Sequence, residues 1–256
     1  MVCKSVGIFD SGLGGLTAFA ALRRKLPEEN IIYFGDTGRC PYGGRSVEEL
    51  REIAKSDLAF LESRGVKSIL AACGTVSSNC RELLESSSVK VVNVRDASMK
   101  ALSRESGTLG VIATEASIRS GAFSLPDREV KGIACPDFVR LIESGHTDRE
   151  DSLLKAAVAA VLEPLRGSGA VLLGCTHYGI IESAIRDFLG EETKLLSASE
   201  CAAEEMASWL QASGLAGGEG MTEFYTSGDP SVFDPLAERI LNASGCHYTY
   251  AQRSRL

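Results

Sequence analysis

Two cysteines stand where chemistry could be done. "ILAACGTVSSNC" (69–80) is an apolar run that ends on Cys73, and "AVLLGCTHYGI" (170–180) is another that ends on Cys175. Each has a threonine close behind and then a helical pattern, and the two cysteines are 102 positions apart. A free thiol has a pKa of about 8.5, so near neutral pH one of a pair can be thiolate and the other thiol. Such a pair suits proton transfer between the two faces of an amino-acid α-carbon, with a base on one face and an acid on the other. The α-proton is a poor acid, so the site must also stabilise a developing carbanion and hold the base close. A strand-end cysteine at a helix N-terminus is expected to gain thiolate character from backbone dipoles.

Other strand ends carry acids. "GIFDSGLGGLTAFAALRRKL" is a strand, Asp10, a glycine turn and a helix. Gly12 and Gly14 match part of a dinucleotide fingerprint, but the third glycine position is Thr17, and Asp10 would repel a pyrophosphate. Free N–H groups at the helix start and the Asp10 carboxylate together suit a zwitterion. "YFGDTGRCPYGGRS" (33–46) ends a strand with Asp36 and enters a Pro-Tyr-Gly-Gly loop. That loop is either a plain turn or a way to present backbone amides and the Tyr42 hydroxyl to a ligand. In "GCTHYG" (174–179) His177 follows Cys175 by two residues, so an imidazole could take the thiol proton, as in a Cys–His hydrolase. Phosphatase chemistry needs an arginine six positions after the cysteine, and Asn79 and Ile181 stand there instead.

The elements that must position these residues alternate along the chain. Strands are expected at 5–10, 30–36, 66–73, 89–94, 108–114, 129–136, 170–175 and 193–199. Helices are expected at 46–64 and 149–165, the second interrupted at Pro164. Ser46 and Glu49 have capping-box spacing, and Val47, Leu50, Ile53, Ala54, Leu58 and Leu61 form a helical stripe. Near-continuous apolar strands alternating with helices imply an α/β fold, with mainly parallel sheets covered on both faces. The echo around Cys73 and Cys175 implies two similar lobes. Ligands of open α/β sheets bind beyond the carboxyl ends of strands, so both cysteines face a cleft between the lobes.

The 256 residues suffice for a large core, with 44% hydrophobic and 24% charged residues. The net charge of −7 and the absence of a basic cluster beyond "LRRK" argue against nucleic acid and membrane surfaces as partners. No apolar run reaches the roughly 18 residues of a membrane span, and the N-terminus lacks a secretory signal's apolar core. A cytoplasmic protein is expected, with its eight scattered cysteines reduced. Three histidines and no CxxC pair do not suggest a closed zinc site.

"VGIFDSGLGGLT", "YFGDTGRCPYGGRS", "AACGT", "GVIATEASIRSGAF", "ACPDFVRLIESG", "LLGCTHYG" and "FYTSGDPSVF" follow one another in an order and spacing that resembles the glutamate racemases, over nearly the whole chain. The resemblance implies two pseudo-symmetric α/β lobes, 1–96 plus 207–256 and 97–206, with the active site between them. It implies cofactor-independent interconversion of L- and D-glutamate for peptidoglycan, in a cytoplasmic homodimer that holds no metal. By the family pattern Cys73 and Cys175 are the acid/base thiols, assisted by Asp10 and His177 respectively, with Asp36 and Glu143 as further acidic positions. Ser11, Pro41, Tyr42, Gly43, Thr75 and Thr176 match substrate-binding loops. Thr114 and Ser117 match another such loop, which usually carries two threonines.

Beyond Ser117, the sequence departs from the pattern in three further places. Gly74 stands where the family has an asparagine that bonds the substrate head group, a loss worth roughly 1.5–3 kcal/mol unless water or Asn79 compensates. Gly179 replaces a proline and loosens its turn. "VNVRDASMK" lacks the usual Pro-Gly after its strand. The departure at Gly74 leaves open a racemase of another amino acid, or a non-catalytic amino-acid-binding homologue.

Overall fold

The computed structural model describes residues 4–243 and 253–255; Cys3 and Cys246 lie outside them. The chain begins with β1 (Val6–Asp10), α1 (Leu16–Lys25), β2 (Ile31–Gly35), α2 (Val47–Ser63) and β3 (Ser68–Ala71). The short helices α3 (Gly74–Asn79) and α4 (Arg81–Glu85) lead to β4 (Lys90–Asn93) and α5 (Val94–Leu102). Then come β5 (Leu109–Ala113), α6 (Glu115–Arg119), β6 (Val130–Ala134), α7 (Pro136–Glu143) and α8 (Ser152–Leu162). After β7 (Ala170–Leu173) a 3-10 helix, Thr176–Ile181, precedes α9 (Glu182–Leu189), β8 (Lys194–Ser197) and α10 (Ala198–Ala212). The described chain closes with β9 (Thr222–Thr226), α11 (Pro230–Ala243) and β10 (Arg253–Arg255).

All eight strands expected from apolar runs are present, each trimmed by one or more residues, and all their pairings are parallel. They form a six-stranded sheet, ordered β10-β9-β2-β1-β3-β4, and a four-stranded sheet, ordered β6-β5-β7-β8. The two strands not foreseen, β9 and β10, extend the first sheet at one edge. β9 has two adjacent aromatics between polar residues and is short, so its pattern alone is ambiguous.

Local chemistry explains the helix ends. The α2 capping box forms as spaced: Glu49 N–H donates to Ser46 Oγ at 3.2 Å, and Ser46 N–H donates to Glu49 Oε2 at 2.9 Å. Val47 is exposed, while Leu50, Ile53, Ala54, Leu58 and Leu61 are buried together with Asp57. Pro164 lies in a 3-10 turn, Glu163–Leu165, that closes α8. Where the usual Pro-Gly is missing after β4, Asn93 caps α5 by accepting from Asp96 N–H at 2.8 Å.

One apolar core joins the two sheets. It runs from Ile8 and Leu70 through Phe19, Ala97 and Met206 to Val111 and Leu172, so α1, α5 and α10 share the layer between them. Two outer cores cover the far faces, one under α2 and α3, the other under α7, α8 and α9. The strands divide between the sheets as 6–93 with 222–255, and 109–197, while positions 96 and 206 fall inside α5 and α10. Among the described residues no helix is long and apolar enough to cross a membrane.

Candidate active site

Register sets the level of the site. Asp10 pairs with Gly35, which puts Asp36 one step beyond the neighbouring strand end. Ile112 pairs with Leu173, which brings Thr114 and Cys175 to one level. The carboxyl ends of the two sheets border one cavity of about 220 Å³. Asp10, Ser11, Pro41, Tyr42, Gly43, Cys73, Gly74, Thr75, Thr114, Cys175, Thr176 and His177 all line it. That volume suits a ligand well below drug size.

The walls are tied across the sheets. Thr176 Oγ1 donates to Asp10 Oδ2 at 3.3 Å, and Thr75 Oγ1 and Thr114 Oγ1 lie 3.1 Å apart. Asp10 Oδ1 accepts from Gly12 N–H at 3.0 Å. The "GLGG" turn permits close packing rather than cradling phosphate: a Cβ on Gly14 would lie 2.3 Å from His177 Nδ1.

Cys175 Sγ is 3.8 Å from His177 Nδ1, and His177 Nε2 is 3.1 Å from Glu143 Oε1, at the end of α7. Burial pulls the imidazolium down, but the bonds with Cys175 and Glu143, with Asp10 nearby, raise His177 to about 10. His177 is therefore a cation at neutral pH, with both ring nitrogens engaged.

On the other wall Cys73 is buried where β3 runs into α3, with no side-chain cap bond. The expected gain in thiolate character is reversed here. Burial and the Asp10 carboxylate push the Cys73 thiol up, against the Val76 N–H and the Ser11 hydroxyl, which pull it down. Burial also raises Asp10, opposed by His177, the Gly12 and Gly15 N–H groups and Thr176.

Three expected residues lie behind the wall. Ser117 is buried and accepts from Thr114 Oγ1 at 2.9 Å, while its N–H donates to that same oxygen at 3.4 Å. Glu143 backs His177 from an adjoining outer cavity of about 850 Å³. Asp36 is buried beneath the loop, bonded to Tyr42, Arg39 and Ser227. The Tyr42 hydroxyl, foreseen as a ligand contact, is taken up by Asp36 and Asp57, so Tyr42 offers the cavity only the rest of its surface.

Gly74 is not an open position. A Cβ there would lie 2.5 Å from the carbonyl oxygen of Gly174, closer than real Cβ contacts come. An asparagine therefore cannot enter this arrangement without moving backbone. Nor does Asn79 compensate, because it does not line the cavity and its amide donates instead to Thr75 O at 2.9 Å. Gly179 lies in the 3-10 turn, where a Cβ would meet only Ser197 Oγ at 3.7 Å.

Sequence reasoning missed Cys40, Gly44, Glu115, Cys135, Pro136 and Val139, which also line the cavity. Cys135 was within reach, because it too stands directly after a strand and before a helix, as Cys73 and Cys175 do. Burial pushes Cys40 and Cys135 up to about 12, helped at Cys40 by Glu143 and at Cys135 by Cys175.

The profile of the Asp/Glu/Hydantoin racemase family matches residues 18–206. A glutamate racemase of Thermus thermophilus is 41% identical over 238 residues, covering 92% of this chain and 91% of that protein. One from Oceanobacillus iheyensis is 36% identical over 256 residues, covering 94% and 93%. The crystal structure of a Francisella tularensis glutamate racemase in complex with D-glutamate superposes with a TM-score of 0.90 at 31% identity, covering 99% of this chain and 97% of that one.

Proposed function

The chain belongs to the Asp/Glu/Hydantoin racemase family, among its glutamate racemases, and is an isomerase; we propose that it interconverts L- and D-glutamate by proton transfer between two thiols, without a cofactor. The observation that carries this reading is the pair of cysteines lining one small cavity, with His177 and Asp10 lining it beside them. Cys175 has His177 at 3.8 Å, and Cys73 shares its surroundings with Asp10.

In the proposed cycle Cys73 starts as the thiol and Cys175 starts as the base, with His177 beside it. The bond between Cα and its hydrogen breaks, and the proton goes to the Cys175 sulfur. The electron pair left on Cα then takes a proton from Cys73 on the opposite face. The two sulfurs exchange roles, leaving Cys175 as thiol and Cys73 as thiolate, the pair that runs the reverse reaction; the starting state returns when Cys175 gives its proton to solvent and Cys73 takes one from solvent. With Glu143 fixing Nε2, the Nδ1 position of His177 is the one free to exchange with sulfur.

No lysine or arginine is among the described residues that line the cavity. The substrate carboxylates are held by backbone N–H groups around 43–44 and 74–75 and by the hydroxyls of Ser11, Thr75, Thr114 and Thr176. The Asp10 carboxylate receives the ammonium group. We assign the two lobes to the two sheets and the product D-glutamate to peptidoglycan synthesis in the cytoplasm, with the chain acting as a homodimer.

The test is loss of circular dichroism from L- or D-glutamate, run against a panel of other L-amino acids. Racemisation of glutamate ahead of the panel is the expected result. Preference for another amino acid would move the substrate assignment. Glutamate binding without α-proton exchange in heavy water would reduce the protein to a binding homologue.

A further inference from the structure

The apolar stripe of α2 has one ionisable member. Asp57 sits between Ala54 and Leu61 on the buried face, and its side chain is fully shielded from solvent. Its Oδ1 accepts from Arg39 Nη2 at 2.7 Å, and its Oδ2 lies 3.2 Å from the Tyr42 hydroxyl. The same hydroxyl makes a short contact with Asp36 Oδ2, to which Arg39 Nε also donates at 2.6 Å. Ser227 donates to the other Asp36 oxygen at 2.5 Å.

The proton count is decisive. Tyr42 has one hydroxyl proton and two carboxylate oxygens within hydrogen-bond distance. If it donates to Asp36, the contact with Asp57 lacks a proton unless Asp57 brings one. Two buried carboxylates facing a single guanidinium would also leave an uncompensated buried charge. The groups that face Asp57 are Asp36 from the end of β2 and Arg39 and Tyr42 from the loop, with Cys73 near Tyr42 from the end of β3.

We propose that Asp57 is a positioning residue that, as a neutral carboxylic acid, donates its proton to Tyr42 and thereby holds the 40–44 wall of the cavity in its ligand-ready form. Ionisation of Asp57 breaks the chain Asp57–Tyr42–Asp36 and loosens that wall. Burial and the neighbouring Asp36 raise the Asp57 carboxyl to about 8, against the pull of Arg39 and Tyr42, so this change falls in an accessible range.

The kinetic arm of the test rests on the glutamate racemase reading; the spectroscopic arm does not. Infrared difference spectra of the intact protein should show a carboxylic-acid carbonyl band that disappears between about pH 7 and pH 9. The band should be absent from Asp57→Asn and shifted in Tyr42→Phe. In the unsubstituted protein KM for glutamate should rise roughly three- to tenfold over that range, the worth of one hydrogen bond. Asp57→Asn, whose amide can still donate to Tyr42, should give a KM that stays flat with pH. Asp57→Ala should raise KM at every pH.

A missing band in the unsubstituted protein, a band unmoved by Tyr42→Phe, or identical KM profiles in the unsubstituted protein and Asp57→Asn would overturn the proposal. If Asp57→Asn fails to fold, the unsubstituted protein and Tyr42→Phe still decide. A protein that shows the band but does not racemise glutamate would refute the proposed function and leave the Asp57 proton standing.

Discussion

Gly74 and Gly174 meet backbone to backbone: a Cβ built on Gly74 would lie 2.5 Å from the Gly174 carbonyl oxygen. These residues adjoin Cys73 and Cys175, so the closeness of the two cysteine loops depends on the missing side chain. Gly74→Ala and Gly74→Asn must therefore part the loops. Overpacking of this kind costs about 1–3 kcal/mol. Lower melting temperatures and a fall in kcat/KM of roughly ten- to a hundredfold are expected, since small misplacements of reacting groups are costly. Tighter glutamate binding by Gly74→Asn at unchanged stability would contradict this geometry.

The proposed mechanism gives the two thiols separate jobs, so each can be removed alone. Cys73→Ala and Cys175→Ala should each lower racemisation by about 10²–10⁴-fold, the usual worth of a positioned acid or base. Exchange of the α-proton in heavy water should survive for one enantiomer at most in each variant, and for opposite enantiomers in the two. Full racemase activity in both variants would end the two-thiol mechanism.

In the proposed mechanism Glu143 acts through His177, whose Nε2 lies 3.1 Å from Glu143 Oε1. Glu143→Gln removes the negative charge that strengthens one of the bonds raising His177, leaving at most a neutral hydrogen bond. The imidazolium should then lose its proton at lower pH, and the alkaline limb of the kcat profile should shift toward acid. A loss of roughly tenfold in kcat, with less change in KM, is expected from one charge-assisted bond worth about 1.5–3 kcal/mol. A profile with an unmoved alkaline limb would show that Glu143 does not set the charge of His177.

Stability should fall as the medium becomes alkaline. Asp57 is raised to about 8 and His177 to about 10, so the folded protein binds protons that the unfolded chain has released. Such contributions are complete below the unfolded pKa values and are lost as pH rises through the folded ones. The carboxylates of Asp96, Glu62 and Asp151 are held low by hydrogen bonds and act oppositely, losing their contribution in acid. Thermal melting should thus be highest at mildly acidic pH and fall steadily toward about pH 10. A melting temperature that climbs from pH 6 to pH 9 would contradict the assignment of these protons.

Much of this protein can be read from its residues in order. The apolar runs ending at Asp10, Cys73, Thr114 and Cys175 identify strands, and their burial on both faces identifies parallel sheets, because each run lacks polar alternation. The Ser46–Glu49 box and Pro164 mark helix ends through purely local bonds. The short strand β9 is less legible, since only Phe224 and Tyr225 of its five residues carry large apolar groups.

Other features depend on atoms far apart in sequence. That Cys73 is held as a thiol follows from burial and from Asp10, not from the helix behind it, and burial exists only once both sheets have closed. The Tyr42 hydroxyl can be read in sequence as a ligand contact, yet Asp36 and, from α2, Asp57 claim it from behind. Gly74 reads as a lost side chain until Gly174 is seen against it. The sequence determined which groups stand at the strand ends, because strand formation is patterned locally. Tertiary structure decided which of them face the cavity and which carry protons, because desolvation and long-range contacts set both.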